Sequence, residues 1–198
     1  MKKKFEKIGL MLLAVAIFLS CNDAADTDSD YEDSLRRDSI DRADMTTTVT
    51  DTVAKQDGDA QWVSEVLESN YAEIAFAKQA QQKATNSEVK NLATMLEKDH
   101  MALVNEAKDL ASKKNWTVAT AETSDDMKKR EDMMDEDVNK YQKDWLEMME
   151  DKHERSIKKF EDAADDDIDA DLKTWINNTI PKLRAHHDKI MQVQKNVK

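Results

Sequence analysis

The stretch TNSEVKNLATMLEKDHMALVNEAKDL, residues 85–110, decides the fold. Val89, Leu92, Leu96, His100, Leu103, Ala107 and Leu110 recur three and four residues apart, which is the period of one helical face. Most positions between them are polar or small, so the spacing predicts a long helix that buries one stripe and solvates the rest. Thr85 and Glu88 stand at the spacing of a capping box, and the helix is expected to open there. One stripe position, His100, carries an imidazole where a hydrocarbon is expected. Glu97, three residues earlier, is the acid within reach of it along the helix.

Outward from this helix the same period returns three times. Upstream, Val63, Val66, Asn70, Glu73, Ala77 and Ala80 predict a first helix from about Asp59 to Ala84, its apolar stripe interrupted by the carboxylate of Glu73. Downstream, after a polar loop over about residues 115–125, the stripe Met134, Val138, Tyr141, Trp145, Met149, His153, Ile157 and Phe160 predicts a third. An acidic break at Asp165, Asp166 and Asp167 leads into a fourth, on Ile168, Leu172, Trp175, Thr179, Leu183, His186 or His187, and Ile190. Pro181 lies inside that last pattern, where it withholds a backbone donor and crowds the preceding turn, so a kink or break is expected near residues 177–180. All four histidines of the chain thus fall on the stripes of three helices.

Composition agrees with this reading. Two glycines and one proline in 198 residues leave almost no punctuation for the turns of a β-rich fold, and charged residues make up 36% of the chain. The expected class is all-α. Short connections between the first two and the last two helices favour antiparallel neighbours, giving an up-and-down four-helix bundle with a kinked last helix over residues 59–197.

The N-terminal third has another character. Lys2, Lys3 and Lys4 followed by an apolar run over residues 8–19 read as a basic segment and a hydrophobic segment too short to span a bilayer, that is, a signal peptide over residues 1–20. Phe18-Leu19-Ser20-Cys21 resembles a bacterial lipobox, which makes Cys21 the expected acylated residue. The lipid bilayer, as the outer membrane on its periplasmic or surface-exposed face, is then the expected partner. Cys21 is also the only cysteine, so internal disulfides and thiolate chemistry are excluded from the bundle. Residues 21–58, rich in Asp, Ser and Thr with no apolar period, are expected to form a disordered acidic tether.

Charge and motifs narrow the function classes. A formal net charge of −12 argues against nucleic acid, whose phosphates require a basic face. There is no Gly-rich loop to cradle phosphate and no Ser-His-Asp order, so an enzymatic role is not indicated. The expectation is a structural, stress-protective or interaction role in the envelope, with an envelope protein or a second copy of the chain as partner.

Several short motifs in order carry a family resemblance. They are Asp59-Ala60-Gln61-Trp62-Val63 and Ala72-Glu73-Ile74, then Ala84-Thr85-Asn86-Ser87-Glu88-Val89-Lys90 with Asp99-His100, then Met149 with His153, and finally Leu172 with Pro181-Lys182-Leu183-Arg184-Ala185-His186. Over about residues 59–193 the chain resembles the domain-of-unknown-function 4142 family of bacterial envelope proteins, which implies a ferritin-like bundle and no assigned activity.

The ferritin-like template sets the alternative reading. Such di-iron bundles take a Glu from each of two helices and a Glu-x-x-His pair from each of the other two, because that offset puts both ligands on one face. Glu97 with His100 and Glu150 with His153 have that spacing, but on the second and third helices, and no Glu precedes His186 by three residues. The candidate ligands for a divalent metal are Glu73, Glu97, His100, Glu150, His153 and His186, with Asp99 as the acid that orients the ring of His100. A buried network of the same side chains that fixes helix register is the competing account. A copper site using Met101 or Met149 beside His100 or His153 is a third.

Overall fold

The structure, a computed structural model, describes the backbone of residues 31–197 and side chains from residue 57 to 197. The helices are α1 (Tyr31–Lys83), α2 (Ser87–Lys114), α3 (Ser124–Met134), α4 (Val138–Asp165) and α5 (Ala170–Asn196), with no strand among the described residues. The chain divides into two units, residues 1–44 and 45–198. Of the first, only helical backbone from Tyr31 onward is described, and the bundle belongs to the second. The signal peptide and Cys21 lie outside the described residues. No helix among the described residues is long and apolar enough to cross a membrane.

Four local expectations are corrected. Helix α1 is assigned from Tyr31, ahead of the start expected near Asp59. It contains no proline, and Gly58 is its only glycine, so nothing in it breaks a helix once one has formed. The N-cap of α2 is Asn86 and not Thr85: its side chain accepts from the amides of Glu88 at 2.8 Å and Val89 at 3.4 Å. The third stripe is cut in two at residues 135–137, where Asp137 caps a new helix, so Met134 ends α3 and is exposed. Of the kink or break expected at Pro181, the break does not occur, because α5 continues through it from Ala170 to Asn196.

Cross-helix contacts fix the packing order. Helix α1 runs antiparallel to α4, since Tyr141 donates to Gln79 Oε1, Trp145 to the carbonyl of Phe76, and Lys159 to Glu65. Helix α2 runs antiparallel to α5, with Asn196 on Glu88, His186 against Asp99 and Lys182 on Glu106. Neighbours around the square are therefore antiparallel, while α2 and α4 run the same way on a diagonal. The connection between those two must therefore run the length of the bundle, from Ala119 on Ser64 past Asp126 on Lys152 to Glu136 on Lys83, and it carries α3.

The core has two apolar halves. One gathers Phe76, Leu92, Leu96, Tyr141, Trp145, Met149 and Ile190; the other gathers Val63, Leu67, Leu103, Leu110, Phe160, Ile176 and Leu183. On α2 the halves meet between Leu96 and Leu103, on α4 between Met149 and Phe160, and on α5 between Leu183 and Ile190. Each gap holds a histidine. At about 25 cal/mol per Å² the two halves supply most of the drive to fold, and the polar layer between them is a local cost that the sequence accepts.

Candidate metal centre

Each long helix places one side chain in that middle layer: Glu73 from α1, His100 from α2, His153 from α4 and His186 from α5. All four are buried, with His153 fully so and the others no more than 4% exposed. One ligand-capable atom from each of the three histidines lies within 4.8 Å of the others. The Nε2 atoms of His100 and His153 stand 3.4 Å apart, and Glu73 Oε2 lies 3.2 Å from His100 Nε2 and 3.6 Å from His153 Nδ1. Donors about 2 Å from a tetrahedral ion are separated by roughly 3.3 Å, so the two closest separations match one coordination edge each.

Hydrogen bonding outside the layer assigns the protons within it. Asn70 donates its amide to the carbonyl of Val66 at 2.8 Å, which turns Oδ1 towards His100 Nδ1, also at 2.8 Å. His100 therefore carries its proton on Nδ1. His153 Nδ1 faces the carbonyl of Met149 at 2.8 Å, an acceptor only, so its proton is on Nδ1 as well. His186 Nε2 lies 3.1 Å from Asp99 Oδ2, which puts the proton on Nε2 and leaves Nδ1 with a lone pair. Three imidazole lone pairs then point into the layer, two of them at each other across 3.4 Å.

Two atoms here are buried without a hydrogen-bond partner: Glu73 Oε2 and His186 Nδ1. The other carboxylate oxygen of Glu73 accepts from Ser69 at 3.2 Å. Burial pushes the Glu73 carboxyl up, but the electrostatic influence of His100, His153 and Lys152 and the Ser69 bond outweigh it, so the group is held below the ordinary carboxylate value. Burial pushes His100 down to about 4, against the pull of Glu73, and lowers His186 likewise, against the bond from Asp99. Near neutral pH the layer sets an ionised carboxylate beside the neutral rings of His100 and His186, an arrangement with an unmet demand for positive charge.

Not every candidate from the sequence joins this set. Glu97 accepts from Gln81 Nε2 at 2.6 Å and pairs with Lys78 at 3.7 Å, so it lies on the α1 side of α2 and away from the layer. Glu150 falls in a separate, partly exposed group with Glu154 and His187. The two members of each pair share a face but lie about 60° apart around the axis and about 4.5 Å apart along it, so the packed neighbours decide that only the later one enters the layer. Asp99 orients the ring of His186 and not that of His100, whose partner is Asn70, a stripe residue whose role the spacing did not reveal. Met101 is 47% exposed, which takes one thioether of the copper reading out of the core.

A family model described as a domain of unknown function, DUF4142, matches residues 44–193. No curated protein and no solved structure matches the chain.

Proposed function

Because the chain belongs to the DUF4142 family, whose description assigns no activity, we propose its function from the chemistry of the middle layer: the bundle binds one divalent transition metal ion through Glu73, His100, His153 and His186. The observation that carries this reading is the set of outer acceptors. Asn70 Oδ1, the Met149 carbonyl and Asp99 Oδ2 each occupy the second nitrogen of one ring, as the outer partners of metal-bound histidines do, and so every inward nitrogen is a free lone pair. Three imidazoles and one carboxylate suit Zn(II) or Fe(II) better than a hard ion such as Ca(II). A cation between Glu73 and the rings also removes the repulsion between the His100 and His153 lone pairs.

Two interhelical bonds, Asn70 to His100 and Asp99 to His186, favour a second reading in which the layer only fixes register. One experiment separates the two. Purified protein is loaded with Zn(II) or anaerobically with Fe(II), desalted and analysed for metal. The wild type is expected to keep about one equivalent, Glu73→Gln and His153→Leu to lose it, and Glu97→Gln and Glu150→Gln to keep it. Equal metal in wild type and in a His100→Ala, His153→Ala double variant ends the metal reading.

On localisation, the proposal is that acylated Cys21 holds the protein at the outer membrane, with the bundle in the periplasm or outside the cell. What supports it is the run from Lys2 to Cys21.

A further inference from the structure

A cavity of about 260 Å³ opens between α1 and α4, and its inner end is formed by two of the proposed ligands, Glu73 and His100, with Asn70 beside them. Its apolar wall consists of Leu103, Phe160 and Trp175, with Val66 and Leu183. The volume exceeds the roughly 150 Å³ of a cavity that admits benzene, so a ring-sized apolar body fits.

Charge selects among such bodies. Lys152, Arg155 and Lys159 line the cavity against only two carboxylates, Glu65 and Glu73. Lys159 is paired with Glu65 at 2.6 Å and Lys152 with Asp126 at 2.9 Å. Arg155 makes only a 3.4 Å contact to Asp151 and is 80% exposed, the least committed of the three. On a protein of net charge −12 this is a locally positive mouth leading to a centre that gains a further two charges when a divalent ion is bound.

We infer that the cavity admits an organic monoanion, a carboxylate on a ring-sized apolar body, whose head group becomes an additional ligand of the metal held by Glu73 and the three histidines. This rests on the metal reading above. The body lies against Leu103, Phe160 and Trp175, and the cations at the mouth draw the carboxylate inward. Nitrogen-rich Zn-type centres accept such a fifth donor.

The test uses Co(II) in place of the native ion, because its visible absorption reports changes in coordination. 3-Phenylpropionate, and the neutral 3-phenylpropanol as control, are titrated into Co(II)-loaded protein, with Co(II) content measured in the same samples. A saturable spectral change with the acid alone is expected. Ser156→Phe, which puts a ring into the cavity from a position that supplies no ligand, is expected to keep its Co(II) and lose the response. Arg155→Gln should weaken the acid's apparent affinity about fivefold through lost charge attraction. Co(II) retained with an unmoved spectrum overturns this inference and leaves the metal reading standing. A response equal for the alcohol, or unchanged in Ser156→Phe, also overturns it. If Co(II) is not retained, the metal reading falls first and this inference with it.

Discussion

Glu73 and His100 show how a few atoms can set the behaviour of a bundle. The carboxylate is charged in the interior because several positive or donating groups face it, and the imidazole is neutral because burial outweighs that same carboxylate. Groups from every long helix meet at the ring: Glu73 from α1, Asp99 from α2, His153 from α4 and His186 from α5. The sign of the pH effect follows from where protons bind first. An unfolded His100 takes a proton near its ordinary value of 6.5 and the folded one only near 4. Stability present above that upper value is therefore lost as the pH falls towards the lower one. Glu73, also held low, adds loss in the same direction at the acid end. The metal-free protein should thus melt at progressively lower temperature from about pH 6.5 to about pH 4, and His100→Gln should flatten part of that slope. A thermal midpoint by circular dichroism that does not move across this window would refute the assignment of a neutral buried His100. At this scale the sequence revealed which residues were misplaced on apolar stripes, Glu73, His100 and His153 among them. It could not tell Glu97 from Glu73 as a contributor, since both are carboxylates near a stripe and only the packed neighbour decides which one points inward.

At the scale of elements, the turns depend on long-range partners more than on local capping. The loop between α1 and α2 is held by Gln142 of α4, whose buried Oε1 accepts from the amides of Thr85 at 2.8 Å and Asn86 at 2.7 Å. Lys83 at the end of α1 donates to the carbonyls of Met133, Met134 and Glu136, and Gln79 donates to the carbonyl of Arg130 at 2.7 Å, so α1 also secures the connection that carries α3. Gln142→Ala leaves two amides without a partner and is expected to cost about 1–3 kcal/mol, read as a lowered urea midpoint with an unchanged denaturant slope. A loss of under about 0.5 kcal/mol would mean that water replaces the glutamine. The existence of the long helices was legible because a period of 3.6 survives single polar interruptions. Their ends were less so: Thr85 had the capping-box spacing, yet its amide is taken by Gln142 and the cap falls to Asn86. The split at residues 135–137 was hidden because apolar residues on either side keep the phase.

Across the whole molecule, a polar layer divides the apolar core at its middle, with one contribution from each long helix. The diagonal crossover makes this possible, since it brings α2 and α4 into parallel and sets His100 beside His153 across the bundle. The proposed acyl anchor belongs to the same scale. Cys21→Ser is expected to move the protein from the membrane fraction to the soluble fraction of broken cells, because it removes the thiol to which the proposed acyl chains attach. Retention in the membrane by that variant would remove acylation as the tether. The sequence by itself determined the all-helical class, the four long amphipathic rods and the placing of histidines on buried stripes, because helical periodicity and the near absence of glycine and proline are local properties of the chain. Which acids accompany those histidines, which ring nitrogen keeps its proton and which cavity reaches the centre were decided only by the tertiary structure. Those depend on the rotation and height of one helix against three others, and that is settled by packing between residues tens of positions apart.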